Sequence, residues 1–232
     1  MKIMSFNTQH CLNFLEQRID YDIMARAILD CGADIVGLNE MFDEGQGAVF
    51  GAQTEKLSSL TGLKNWYFAK AIDDAAGPYG NGFLSKYPIK KAQTIKIPDP
   101  NPRAYNGYYE TRCLLKAELE NGFTVLVTHF GLNPDEQENA VNTILEHMKP
   151  EKCILMGDFN VTPENGVLNP IREKMTDTSL GFFENKGSWP SDKPLSKIDY
   201  IFVTPDLEVI SADIPELIAS DHRPHVAEVA FK

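Results

Sequence analysis

The chain has 232 residues, 43% of them hydrophobic, and a formal net charge of −11 at pH 7. This is enough apolar material for a buried core. No apolar run approaches the roughly 18 residues of a membrane span, and the charge opposes long-range attraction to nucleic acid. We therefore expect no stable membrane insertion. The N-terminal residues become polar at once and lack the apolar stretch of a signal peptide, which predicts a cytoplasmic protein.

The first half of the chain alternates apolar runs with amphipathic segments. Its patterns predict strands at 2–7, 33–40, 65–71, 81–86 and 89–97 and helices at 20–31 and 52–61. Segments 73–80 and 98–109 are rich in Gly, Pro and Asn, which predicts loops. The second of these is longer than a connection needs and carries three tyrosines, features typical of a loop that contacts substrate.

The second half begins with the clearest hairpin, in which strands 112–120 and 123–129 flank Asn121-Gly122, a strong two-residue turn signal. A capping Asn133 followed by proline and two acids predicts a helix from 134 to about 148. Further patterns predict strands at 152–156, 198–203, 206–211 and 225–231, a short helix at 166–174 and irregular structure at 178–196. No repeat or linker interrupts these elements, so we expect a single α/β domain over residues 1–232.

One segment opposes the overall negative charge. Between Lys86 and Lys116 there are seven cations against two acids, a local excess of five positive charges. One interpretation is an edge strand on which exposed lysines prevent aggregation. The other is a wall that faces a bound phosphate.

Polar side chains follow several of the predicted strands. Glu40 follows the apolar run that starts at Ile35, His129 ends the hairpin, and Asp158 and Asn160 follow the next apolar strand. Residues just past the ends of buried strands face a shared crevice. We therefore expect these side chains to meet at one edge of the fold.

Two later motifs add to this set, Ile198-Asp199-Tyr200 and Ser220-Asp221-His222. Hard cations prefer carboxylate and amide oxygens, and a water that attacks phosphorus needs a nearby base such as a histidine steered by a carboxylate. The combination predicts metal-dependent hydrolysis of a phosphoester. The four cysteines are scattered and predict reduced, mostly buried thiols. Without a Cys/His cluster, Mg²⁺ or Mn²⁺ is favoured over Zn²⁺.

The motifs Gly157-Asp158-Phe159-Asn160 and Ser220-Asp221-His222, with Ser5-Phe6-Asn7 at the start, resemble the endonuclease/exonuclease/phosphatase superfamily. That superfamily includes deoxyribonuclease I, exonuclease III-type repair nucleases, neutral sphingomyelinases and inositol polyphosphate 5-phosphatases. The resemblance covers nearly the whole chain, in the family's order. It implies a four-layer α/β sandwich of two packed mixed β-sheets flanked by helices. The chain departs from the family at Asn39, where glutamine is usual.

The resemblance also implies roles for individual residues. Glu40 matches the principal metal ligand, and Asn7 and Asp221 match positions that help to hold the cation. Asp158 matches the aspartate that orients or deprotonates the attacking water, and Asn160 matches the amide that contacts the scissile phosphate.

His222 matches the imidazole that acts as a base or as a transition-state hydrogen-bond donor, with Asp199 as its carboxylate partner. His129 resembles the second histidine of the deoxyribonuclease and sphingomyelinase branches. Asn81 and Arg112 are further candidates for phosphate contacts, although the first could be a turn residue and the second a strand-edge charge.

These observations predict a Mg²⁺- or Mn²⁺-dependent phosphoesterase. The first hypothesis is a nuclease, based on the family branch, the tyrosines and the basic segment. The alternative, favoured by the net charge and the short chain, is a phosphatase or phosphodiesterase acting on a small molecule, nucleotide or lipid headgroup. A remote alternative is a non-catalytic binding module on the same scaffold. The sequence carries no signal for an oligomeric state.

Overall fold

A computed structural model describes residues 1–45, 47–183 and 186–232. The helices are α1 (Tyr21–Cys31), α2 (Gln53–Thr61), α3 (Pro134–His147) and the short α4 (Asn169–Arg172), with 3₁₀ turns at Gln9–Cys11 and Gly166–Leu168. The strands are β1 (Lys2–Asn7), β2 (Leu12–Asn13), β3 (Arg18–Ile19), β4 (Ile35–Phe42), β5 (Asn65–Asp74), β6 (Gly77–Ser85), β7 (Ile89–Lys96), β8 (Cys113–Leu119), β9 (Thr124–His129), β10 (Cys153–Asp158), β11 (Thr176–Asp177), β12 (Asp199–Val203), β13 (Leu207–Asp213) and β14 (His225–Phe231).

Twelve of these strands form two six-stranded sheets. The first sheet has the order β13-β14-β1-β4-β6-β5, and the second has the order β11-β12-β10-β9-β8-β7. Each is mixed, because β1 pairs with β4 and β9 pairs with β10 in parallel, whereas the remaining pairs are antiparallel. The carboxyl ends of β1, β9 and β10 carry Asn7, His129 and Asp158.

The two sheets pack face to face, and helices cover their outer faces. Successive side chains of a strand point to opposite faces, so Ile3 lies in the core between the sheets whereas Met4 packs with α1 and α2. Val127 likewise lies between the sheets, and Leu126 packs with α3. The expected α/β sandwich of two mixed sheets between helices is confirmed.

The ends of the helices follow the predicted signals. The Asp20 side chain accepts hydrogen bonds from the backbone N–H groups of Asp22 and Ile23, both at 3.1 Å, and α1 ends at Gly32 with φ of 62°. At the start of α3, the Asn133 backbone N–H donates to Glu136 Oε2 at 3.2 Å. These contacts satisfy backbone groups that have no partner within the helix.

The predicted loop at 73–80 is wrong. Strand β5 continues to Asp74 and β6 begins at Gly77, and these two residues pair across a tight turn. The glycines of this segment serve close packing, since a Cβ on Gly80 would lie 2.0 Å from the Ala69 carbonyl oxygen. The predicted loop at 98–109 contains no strand or helix, as expected. Of the predicted irregular segment 178–196, residues 184 and 185 lie outside the described residues.

The basic segment serves several purposes. Lys90, Lys91 and Lys96 are exposed on β7, an edge strand of the second sheet, as the first interpretation requires. Lys116 is buried and donates to the His147 carbonyl oxygen at 2.9 Å. Arg112 lies near the polar strand ends, 3.2 Å from His129 at the end of β9.

The cysteines are free thiols, and Cys11, Cys113 and Cys153 are buried, which confirms that expectation. Over the described ranges, no helix combines the length and the hydropathy needed to cross a membrane.

Candidate active site

A cleft of about 430 Å³ lies where the polar strand ends of both sheets meet. Its lining combines carboxylates, histidines and aromatic side chains: Glu40, Tyr79, Tyr108, Glu110, Arg112, His129, Leu132, Asp158, Asn160, Trp189, Ile198, Asp221 and His222. Most of the predicted site residues are therefore brought together in this cleft.

His222 and Asp199 form a buried pair at one side of the cleft. His222 Nδ1 lies 2.8 Å from Asp199 Oδ2, which directs Nε2 toward Asp158. Burial alone would lower the pKa of His222, but the carboxylates of Asp199 and Asp158 outweigh this effect and raise the pKa to about 10. Asp199 thus fixes the orientation of the His222 imidazole, and both carboxylates favour its charged form.

Asp158 lies at the centre of the polar cluster. Its Oδ2 is 3.1 Å from Asn7 Nδ2, 3.6 Å from His129 Nε2 and 3.7 Å from His222 Nε2. Its Oδ1 accepts a hydrogen bond from the Asn160 backbone N–H at 2.9 Å. Burial raises the pKa of Asp158 above its usual range, because the charged carboxylate is removed from water.

Glu40 reaches the cleft through a distortion of β4. The expectation that it follows the end of a strand is wrong, because β4 continues to Phe42. The pairing with β6 shifts register between Leu38 and Met41, and Glu40 has a left-handed φ of 61°. Such backbone strain is uncommon for a residue with a side chain and clusters at functional sites. Glu40 Oε1 accepts a hydrogen bond from Asn7 Nδ2 at 2.9 Å.

The Gly157–Asn160 turn is equally constrained. Gly157 has φ of 147°, and a Cβ there would lie 1.8 Å from the Thr128 carbonyl oxygen, so only glycine fits. Asn160 has φ of 52°, and its Nδ2 donates to the Phe130 carbonyl oxygen at 3.0 Å. Together these contacts hold the Asn160 carboxamide at the cleft.

His129 is paired with a cation. Arg112 Nη1 lies 3.2 Å from His129 Nδ1, and because a guanidinium can only donate, Nδ1 must be the acceptor. The proton of the neutral ring is therefore on Nε2, which faces Asp158. Burial, followed by the positive charge of Arg112, holds the pKa of His129 well below its usual value. Arg112 also forms an ion pair with Glu110, so it is a cleft residue rather than a solvated strand-edge charge.

Asn81 was predicted to contact the phosphate, but it is buried and does not line the cleft. Its Nδ2 donates to the Cys113 carbonyl oxygen at 3.0 Å, and its Oδ1 accepts from Asn39 Nδ2 at 2.7 Å. Asn39 Nδ2 also donates to the Thr128 carbonyl oxygen at 2.8 Å, and Asn39 Oδ1 accepts from the Asp158 backbone N–H at 2.9 Å. These two carboxamides connect the first sheet to the second beside the polar cluster around Asp158.

A second buried cluster supports Asp199 from behind, and the sequence analysis missed it. His225 Nδ1 lies 3.3 Å from the Asp199 carbonyl oxygen. Lys197 Nζ lies 3.3 Å from Asp177 Oδ2 and 3.4 Å from the centroid of the Tyr200 ring. Burial lowers the pKa of Lys197 to about 8, against the opposing effect of Asp177. Lys197 follows Ser196 and Asp177 stands between two threonines, so neither position carried a sequence signal of burial.

The donor set of the cleft fits a divalent cation. Ligand atoms of Asp158, Asp199 and His222 lie within 4.8 Å of one another, but Asp199 Oδ2 already binds His222. The carboxylates of Glu40 and Asp158 share the Asn7 amide and face the same cleft as Asp221. Burial raises the pKa of Glu40, and the nearby Asp221 adds to this. Carboxylates gathered in this way, with hard oxygen donors, need a countercharge.

The chain matches a known protein family over most of its length. Residues 4–222 match the model of the Endonuclease/Exonuclease/phosphatase family. No curated protein sequence matches the chain.

Several solved structures share the fold over 100% of this chain. An endonuclease/exonuclease/phosphatase from Beutenbergia cavernae has a TM-score of 0.82 at 21% identity, with 71% of that chain covered. A second, from Bacteroides vulgatus, has a TM-score of 0.75 at 22% identity and 98% coverage. A mannosyl-6-phosphatase from Bacteroides thetaiotaomicron has a TM-score of 0.77 at 18% identity and 100% coverage.

Proposed function

We propose that this chain, which belongs to the endonuclease/exonuclease/phosphatase family, hydrolyses a phosphoester of a small molecule with the aid of Mg²⁺ or Mn²⁺. Family members hydrolyse phosphoester bonds, so the chain is a phosphoester hydrolase. The observation that carries the proposal is the convergence of Asp158, the His222–Asp199 pair and Glu40 in one cleft.

The geometry suggests a division of labour. Asp158 Oδ2 is the acceptor that orients or deprotonates the attacking water, and it lies between the Nε2 atoms of His129 and His222. Asp199 holds His222 so that its Nε2 faces the substrate. His129 Nε2–H and the Arg112 guanidinium are donors for the non-bridging phosphate oxygens.

Glu40, Asn7 and Asp221 would hold the cation, as the resemblance implies. Bound there, it supplies positive charge that neutralises the phosphate and polarises the scissile bond. The hard oxygen donors favour Mg²⁺ or Mn²⁺ over softer ions.

The charges of the cleft favour a substrate with a single phosphate group. Among the described residues that line the cleft, Arg112 is the only arginine or lysine, against four carboxylates. Long nucleic acids are usually bound through many lysine and arginine contacts to phosphates. The volume of about 430 Å³ is within the range of small-molecule sites. The activity in the name of the mannosyl-6-phosphatase neighbour agrees with this proposal.

A nuclease is the second candidate, and one observation favours it. Tyr105 and Tyr108 are exposed on the 98–109 loop, and Tyr108 lines the cleft. Exposed aromatic rings can stack on the bases of single-stranded nucleic acid. Cleavage of DNA or RNA that falls steeply with added salt would support this candidate, whereas salt-insensitive turnover of a small phosphoester supports the proposal.

A substrate panel with and without EDTA tests the function. It should contain single- and double-stranded DNA, RNA, sugar phosphates, nucleotides, inositol phosphates and sphingomyelin. Asp158→Asn and His222→Ala should each lower turnover by about 100-fold or more. His147→Asn, at the end of α3 and outside the cleft, is the matched control. No metal-dependent hydrolysis across the panel would favour a binding module instead.

A further inference from the structure

Large apolar side chains stand exposed at the mouth of the cleft. Trp189, Tyr108 and Leu132 line it and are 41%, 65% and 56% exposed. Exposed aromatic side chains beside a polar centre commonly contact a ligand. The proposed function uses the carboxylates, the histidines and Arg112 of the cleft for the phosphate and the cation. It gives the three apolar side chains no role.

Trp189 is held by backbone hydrogen bonds on both sides of its Cα atom. Its N–H donates to the Ser196 carbonyl oxygen and its carbonyl accepts from the Ser196 N–H, both at 3.0 Å. The same segment is joined to the catalytic motif, because the Ser191 N–H donates to the Asp221 carbonyl oxygen at 2.7 Å. The backbone that carries the Trp189 indole is therefore held in place beside His222.

Tyr108 stands on the segment that carries Arg112. Its hydroxyl donates to Glu110 Oε2 at 3.0 Å, and its carbonyl oxygen accepts from Asn133 Nδ2 at 2.7 Å. Glu110 in turn pairs with Arg112. The Tyr108 ring is thus linked to the guanidinium, whereas Trp189 is linked to the other side of the site, at Asp221.

The position of the bound phosphate determines which part of the substrate contacts Trp189 and Tyr108. A phosphate attacked by water at Asp158 lies against the Nε2 atoms of His129 and His222, which are 3.6 and 3.7 Å from Asp158 Oδ2, so the esterified alcohol extends toward the cleft mouth. Among the described lining residues, Arg112 is the one lysine or arginine, so a second phosphate group would have no cationic side chain to pair with. The occupant of the mouth is therefore an uncharged alcohol that offers a surface to aromatic rings.

We propose that Trp189 and Tyr108 bind the alcohol of the substrate, and that this alcohol is a ring with an apolar face, as in a sugar phosphate or a nucleoside monophosphate. This inference rests on the proposed function. Aromatic side chains contact such rings face to face and exclude water from them. A linear alcohol such as glycerol offers no comparable face.

The two tryptophans of the chain allow a binding test that does not depend on turnover. Trp66 lies on β5, outside the cleft lining. A Trp66→Phe, His222→Ala protein retains Trp189 as its one tryptophan and should turn substrate over more slowly, by about 100-fold or more. With Mg²⁺ present, mannose 6-phosphate or AMP should change its fluorescence saturably, at concentrations about tenfold lower than glycerol 3-phosphate or inorganic phosphate. The sugar and nucleotide arms identify which ring is preferred. Equal responses to all four compounds would overturn the inference.

Kinetics of single variants give the second measurement. Trp189→Ala should lower kcat/KM for the preferred ring phosphate about tenfold, mainly through KM, and that for glycerol 3-phosphate less than threefold. Trp189→Phe should retain most of the activity, and Trp66→Ala is the matched control. An equal loss on both substrates overturns the inference while the proposed function stands. Absence of phosphoester hydrolysis by the unmodified protein would refute the proposed function itself.

Discussion

Replacing Asn39 by alanine should destabilise the protein far more than the loss of one surface amide would. The Asn39 side chain makes three buried hydrogen bonds, to Asn81 Oδ1, the Thr128 carbonyl oxygen and the Asp158 N–H, at 2.7 to 2.9 Å. All three partners are buried. Because Thr128 and Asp158 belong to the second sheet and Asn39 to the first, the variant removes contacts between the sheets.

The expected magnitude follows from these contacts. Each intramolecular hydrogen bond contributes about 1 kcal/mol net, and a buried partner left unpaired costs about 1–3 kcal/mol. Partial relaxation and entry of water reduce the sum, so we expect a loss of about 3–5 kcal/mol in the free energy of unfolding. This is a large fraction of the roughly 5–15 kcal/mol of a typical domain.

Urea unfolding measured by circular dichroism tests this expectation. Asn65→Ala is the matched control, since the Asn65 amide donates to the Ser85 and Lys86 carbonyl oxygens from a less buried position on the same sheet. It should cost less than about 1 kcal/mol. A loss below about 1 kcal/mol for Asn39→Ala, with an unchanged dependence on urea, would refute the argument that this amide connects the sheets.

Three further predictions concern the site. Glu40→Gln should raise the Mg²⁺ concentration for half-maximal turnover about tenfold or more, because it removes a charged oxygen donor; an unchanged Mg²⁺ titration would exclude Glu40 as a ligand. Arg112→Lys keeps the charge but loses the planar fork, so KM for the preferred phosphoester should rise about tenfold, and an unchanged KM would remove Arg112 from phosphate binding. The pKa of Lys197 is lowered by burial to about 8 from 10.5. The folded protein then binds fewer protons than the unfolded chain between pH 8 and 10.5, so the unfolding free energy should rise with pH across that window. Lys197→Met should flatten this rise in urea unfolding, and identical slopes would contradict the assignment.

Much of the fold follows from local patterns. The helix ends at Asp20 and Gly32 and the hairpin near Asn121-Gly122 are encoded by capping and turn residues, whose effects are short-range. The hairpin turn is one residue longer than predicted, because the Leu119 N–H donates to the Phe123 carbonyl oxygen. The loop prediction at 73–80 failed because long-range strand pairing, not local composition, decides the structure of that segment. Gly77, Pro78 and Gly80 are typical of a loop, but pairing with β4 and β5 overrides that composition.

In the candidate site, too, some features follow from local sequence patterns and others from tertiary contacts. The Gly157–Asn160 and Ser220–His222 motifs indicated residues that the folded protein brings together in one cleft, because the chemistry of those residues can be identified from residue type. Asn81 was assigned to the phosphate because a short segment cannot show which way an amide points. In the folded protein it points inward, where Asn39 and the Cys113 carbonyl oxygen satisfy it.

The sequence alone determined the alternation of strands and helices, the family, and the residue types available for metal-assisted hydrolysis. Only the tertiary structure decided how those residues are paired: Arg112 with His129, Asn39 with Asp158, and His225 with Asp199. The physical reason is that each pair joins residues distant in the chain. Their hydrogen bonds depend on the register within and between the two sheets, which local patterns do not specify.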